Sequence, residues 1–116
     1  MSDRAEEPDA SAFHLILESE EAPMAMSAVR LLIADEAHQP KLRALAREVL
    51  SGLQAIPNEH GVVTVGLTPE QMKITHAAVR LLLNDLQREQ ASEREVLRRI
   101  LEKLPDEHTM RAIKIE

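Results

Sequence analysis

The sequence predicts an α+β fold: a duplicated β-α-α unit plus a closing strand (β-αα-β-αα-β), forming a small three-stranded sheet covered on one face by two helical hairpins. The first observation behind this is an internal repeat. Residues 13–36 (FHLILESEEAPMAMSAVRLLIADE) align without a gap, at an offset of 50, with residues 63–86 (VTVGLTPEQMKITHAAVRLLLNDL). Eight of those 24 positions are identical, among them the whole Ala28-Val29-Arg30-Leu31-Leu32 segment and its copy Ala78-Val79-Arg80-Leu81-Leu82. The second observation is an echo at an offset of 48, where IPNEHGVVTVGL (56–67) matches LPDEHTMRAIKI (104–115). Helix-start and helix-stop signals fall at the same places in both units. Residues 1–11 then read as a flexible acidic tail. Residues 12–116 read as a single domain made of two repeats (12–60 and 61–108) and a final strand (109–115).

Each element has a local reason. Val62-Val63-Thr64-Val65-Gly66-Leu67 is rich in β-branched residues and follows a glycine, which reads as a strand; the repeat extends that reading to Phe13–Leu17. Met110 to Ile115 alternates as a strand would, with Arg111, Ile113 and Ile115 on one face. Superposing the three copies places Leu15, Val65 and Ile113 in one buried row, and Leu17, Leu67 and Ile115 in the next. His14, Thr64 and Ala112 share the opposite, half-covered face. Equivalent strands joined by helical hairpins are expected to run parallel.

Thr68-Pro69-Glu70-Gln71 is a helix start, with Thr as N-cap, Pro at the first helical position and Gln completing a capping box. In the first unit Ser19 precedes Glu20 and Glu21, whose charges suit a helix N-terminus. Second helices follow from Pro40, with Leu42, Leu45, Val49 and Leu53 as the apolar stripe, and from the capping box Ser92–Glu95, with Val96, Leu97, Ile100, Leu101 and Leu104. Pro57 and Pro105 stop them. The mixed charges from Arg88 to Arg99 read as a solvated face with intrahelical pairs.

Composition narrows the function classes. The chain has 116 residues, enough for one core. Phe13 is its single aromatic residue, so the core has to be aliphatic. A net charge of −6 and the lack of stacking rings disfavour a nucleic-acid partner. Without cysteine there is no disulfide, thiol nucleophile or thiolate metal site. No apolar run approaches the roughly 20 residues that span a bilayer, so no membrane partner is expected, and the polar N-terminus points to the cytoplasm. No cofactor motif is present.

Three clusters invite chemistry. Leu31-Leu32-Ile33-Ala34-Asp35-Glu36-Ala37-His38 resembles the DEAH box of the helicases that carry that name. The resemblance would imply Asp35 on a metal ion and Glu36 activating water. It spans eight residues, no phosphate-binding glycine loop accompanies it, and the repeat aligns it with Arg80–Gln87, so a helix end is expected. The duplicated Pro-[Asn/Asp]-Glu-His places Glu59, His60, Glu107 and His108 before two strands. Carboxylate plus imidazole suits a divalent cation or acid–base work, and parallel strands would bring the copies to one sheet edge. A duplicated polar turn is the plainer reading. His76 lies on the helical seam Met72, His76, Val79, Leu83 and Leu86, with Met26 as its repeat partner.

The expected function is therefore a small non-enzymatic protein acting through protein–protein contacts, as a homo-oligomer. A wide apolar helix face exceeds what a small sheet can bury. Met24, Met26, Met72, His76 and Leu83 are the candidate interface residues, since methionine suits adaptable contacts. The alternative is a metal-binding module or small metal-dependent enzyme using the Glu-His turns.

Overall fold

The computed structural model describes residues 13–35 and 40–113. Its elements are β1 (Phe13–Leu17), α1 (Glu21–Ala34), α2 (Pro40–Leu53), β2 (Val63–Leu67), α3 (Pro69–Asp85), α4 (Ala91–Lys103) and α5 (Glu107–Ala112). The expected acidic tail lies outside the described residues.

β1 and β2 form a two-stranded antiparallel sheet. This corrects the expectation of parallel strands. Leu15 pairs with Val65, Phe13 with Leu67 and Leu17 with Val63. Because the sequence repeat equates residue 15 with 65, 13 with 63 and 17 with 67, the register is symmetric about the Leu15–Val65 pair. The two units are related across the ladder by a local two-fold rotation rather than by translation, and rotation reverses strand direction. The same relation recurs in the helices. α1 packs on α3, while α2 reaches across to β2 and α3, and α4 to β1 and α1. Ala28, Val29, Ala78 and Val79 of the repeated segment are buried, the alanines allowing close approach.

Both helical layers lie on one face of the sheet, as the alternation implied. Leu15, Leu17, Val63, Val65 and Leu67 are buried, and His14, Ile16, Thr64 and Gly66 are exposed. The core is aliphatic, joining these residues to Leu32, Val49, Leu53, Leu97 and Ile100.

The third strand is not formed by the described residues. Glu107–Ala112 is the short helix α5, with Asp106 as N-cap accepting from the Thr109 N–H at 2.9 Å; residues 114–116 lie outside the described residues. Thr109 stands where the first unit has Gly61, whose φ of +77° opens the turn into β2. Without that glycine the same Glu-His motif continues from an N-cap into a helix turn.

The capping box at Thr68 is complete: Thr68 Oγ1 accepts from the Gln71 N–H at 3.1 Å, and Gln71 Oε1 from the Thr68 N–H at 3.0 Å. In the first unit the reach back comes from Glu21, whose Oε1 accepts from the Glu18 N–H at 2.9 Å, and Ser19 makes no cap. α4 begins one residue before Ser92, with Gln90 as its N-cap residue, so the expected box there is absent. Arg94 instead donates to the Leu83 and Leu86 carbonyls at 3.0 and 3.2 Å, satisfying the end of α3.

Candidate functional site

Between the two units, the segment joining α2 to β2 borders two hollows. Asn58 organises it: its Oδ1 accepts from the His60 and Val62 N–H groups at 2.8 and 3.0 Å, and its N–H donates to the Val62 carbonyl at 2.9 Å. The resulting turn presses Gly61 onto Ser19, so that a β-carbon at 61 would stand 3.2 Å from Ser19 Cβ. Ser19 lines both hollows.

The larger hollow, about 620 Å³, has Ile16 and Val62 as apolar lining and His14, Ser19, His60 and Lys103 around them. Those polar groups do not assemble a reactive centre. The Lys103 ammonium is bound to the Glu21 carboxylate and donates to the Ile16 carbonyl at 2.9 Å. His60 leans on Glu59 at 3.7 Å, and no hydrogen bond among the described residues links Ser19 to either imidazole.

The smaller hollow, about 240 Å³, is apolar, lined by Ala22, Pro23, Met26, Leu53, Pro57 and Val63. Ile56 stands between two residues of its wall, Ala55 and Pro57, and is 93% exposed. Besides Ile16, it is the only exposed large hydrophobic among the described residues.

The residues singled out in the sequence are dispersed. Met72 and His76 are buried within the chain, and Met24, Met26 and Leu83 are half-buried against the core. Of these five, Met26 lines the smaller of the two hollows. Burial, and then the neighbouring Arg80, hold the His76 imidazole below its ordinary value, with Glu107 acting in the opposite sense. Glu59 and His60 sit in the exposed turn, while Glu107 and His108 are on α5. Glu107 accepts from Arg80 at 2.7 Å and Arg111 at 2.6 Å, and these two guanidinium groups hold its carboxyl below the usual range. Among the described residues no group of three or more His, Asp or Glu side chains is placed to hold a metal ion. Asp35 is the C-cap of α1, its N–H donating to the Leu32 carbonyl at 3.2 Å; this is the expected helix end, and residues 36–38 lie outside the described residues.

The sequence reading singles out neither of two features that the structure shows. Ile56 is legible in principle, as a large aliphatic residue in a segment of turn formers. Glu21 is less so: the repeat aligns it with the capping residue Gln71, but nothing in the sequence marks it as buried. It is buried, with Lys103 at one carboxylate oxygen and Arg99 Nε 4.0 Å from the other. Burial works against its ionisation, but the Lys103 and Glu18 hydrogen bonds and the charges of Lys103 and Arg99 outweigh it, so its pKa is lowered.

No described helix is long and apolar enough to cross a membrane. Comparison with known protein families, curated proteins and solved structures finds no match to this chain.

Proposed function

We propose that the protein is a non-enzymatic protein-binding module whose contact surface is the small apolar hollow together with Ile56. The observation that carries this is the exposure of Ile56, 93%, at the wall of a hollow lined by aliphatic side chains. Covering one such side chain stabilises a complex by about 1.5–3 kcal/mol, before any contribution from the hollow. Among the described residues every other large hydrophobic except Ile16 is buried or half-buried, so leaving this one in water needs a reason.

A second copy is the partner expected from the sequence, on the strength of a wide apolar helix face. Much of that face is occupied within the chain by the packing of α1 on α3 and of α2 and α4 around them. What favours self-association is narrower: a projecting side chain and a hollow lie side by side, the self-complementary arrangement that a two-fold dimer uses. The metal-binding alternative draws no support from Glu107, whose carboxylate is engaged by two guanidinium groups.

A photo-crosslinking amino acid placed at position 56 in cells tests the reading, with the same group at exposed Glu102 as control. A discrete adduct at 56 but not at 102 is expected. Twice the chain mass assigns the surface to a second copy, and any other single mass to a different protein. Labelling at 56 no greater than at 102 overturns the proposal.

A further inference from the structure

The internal two-fold offers a way to ask what the open hollow fits, because the second unit contains the equivalent place with something lying on it. In the alignment of residues 56–67 with 104–115, Ile56 corresponds to Leu104. Ile56 is 93% exposed, whereas Leu104 is 6% exposed. The chain leaves α4 and turns back as α5; it leaves α2 and enters β2 instead.

α5 lies along one side of α3. Glu107 in its first turn is held by Arg80, Met110 is buried, and the Ile113 carbonyl just past its end accepts from Lys73. α5 therefore runs antiparallel to α3 over the stretch Arg80 to Lys73, with His76 between. The repeat equates that stretch with Arg30 to Pro23 on α1, with Met26 between. There the described residues place no helix. Pro23 and Met26 line the open hollow, and Arg30 is exposed with no ion-pair partner among the described residues.

We infer that this side of α1 receives a short amphipathic helical turn from another protein, lying antiparallel to α1 as α5 lies on α3. An acidic residue in its first turn pairs with Arg30, as Glu107 does with Arg80. An aliphatic residue three positions later enters the hollow, as Met110 enters the core beside α3. This rests on the reading of the hollow and Ile56 as a contact surface, and it names the chemistry of the occupant. Two substitutions between the units shape the preference. Met26 in place of His76 puts an apolar side chain where α3 has an imidazole, and Pro23 in place of Lys73 removes the cation that ties down the C-terminal end of α5. The favoured ligand is thus more apolar at its C-terminal end than α5 is.

The probe is a synthetic peptide of residues 104–116, LPDEHTMRAIKIE, titrated into the full chain carrying labelled methionine and isoleucine methyl groups. Saturable shifts of the Met26 and Ile56 methyls are expected, and a peptide with Met110→Glu should produce none. Arg30→Glu in the protein should weaken binding roughly three- to fivefold, the range of an exposed ion pair. A Glu107→Lys peptide should restore it. Silence at Met26 and Ile56 at millimolar peptide overturns the inference. So do shifts confined to α3 around His76, which would report displacement of the chain's own α5, and so does binding indifferent to charge reversal. A specific adduct at position 56 with a silent titration rejects the helical occupant while leaving the contact surface standing. Absence of that adduct removes the surface itself.

Discussion

Gly52 lies against Val65: a β-carbon built at position 52 would stand 3.1 Å from Val65 Cγ1. The glycine sits in the last turn of α2, and its bare backbone lets that helix close on the centre of the ladder. Helix propensity alone favours alanine there by about 1 kcal/mol, and crowding of buried Val65 opposes it. Gly52→Ala is therefore expected to leave stability within about 1 kcal/mol of the parent. In a Val65→Ala background the crowding is gone, and the same change should stabilise by about 1 kcal/mol. Urea unfolding of the four proteins measures this as a coupling energy. Simple additivity would show that the two residues do not press on each other.

Lys103 and Glu21 form another inter-unit contact with a measurable consequence. Lys103→Met leaves a buried carboxylate without its ammonium partner, which should cost about 1–3 kcal/mol, less than for a fully buried pair because Lys103 is partly exposed and Arg99 still faces Glu21. Adding Glu21→Gln should recover much of that loss, because the buried charge is then gone. Glu21 ionises more readily in the folded chain than in the unfolded one. Its contribution is complete above the ordinary carboxyl value of 4.5 and is lost as pH falls through the lower folded value. Acid unfolding of Glu21→Gln should accordingly be shallower than that of the parent.

His76 gives a slope at higher pH with the opposite chemistry. Its folded imidazole resists protonation, chiefly through burial. The unfolded chain takes up a proton near the ordinary imidazole value of 6.5, so stability is complete above that pH. It falls as pH drops from there to the lower folded value, below which this group adds no further loss. His76→Met, which installs the residue found at the equivalent position 26, should flatten this part of the profile. Denaturation midpoints recorded from about pH 8 to pH 5 check it. An unchanged slope would place the titration elsewhere.

Gly61 should tolerate no side chain. Its φ of +77° opposes one, and so does Ser19 Cβ, which would stand 3.2 Å from a β-carbon at this position. Gly61→Ala is expected to cost about 1–2 kcal/mol from the backbone conformation alone. Pairing it with Ser19→Gly relieves only the steric part. Melting temperatures of the single and double variants separate the two contributions.

The repeat in the sequence makes the β-α-α unit, its order and its aliphatic inward face legible. Strand direction is not, because a duplicated sequence looks the same whether its copies are related by translation or by rotation. The pairings of Phe13 with Leu67 and of Leu17 with Val63, on either side of Leu15–Val65, distinguish them. The mistaken third strand has a readable cause. Thr109 replaces Gly61, and Met110-Arg111-Ala112 replaces the β-branched Val62-Val63-Thr64, both changes favouring helix over strand. Capping is readable at Thr68, where side chain and proline agree. It misleads at Ser92, because the helix starts a residue earlier. As for the candidate site, Met26 and Ser19 are visible in the sequence. The hollow itself depends on how α1 meets the α2–β2 turn, which one-dimensional patterning does not encode.

The turn-back of α5 onto α3 also sets a valence. A molecule built from two like halves would ordinarily carry two like docking positions. If α1 carries the docking position proposed for it, α5 already fills the counterpart on α3, so a titration with a fitting partner should reach equivalence at one partner per chain.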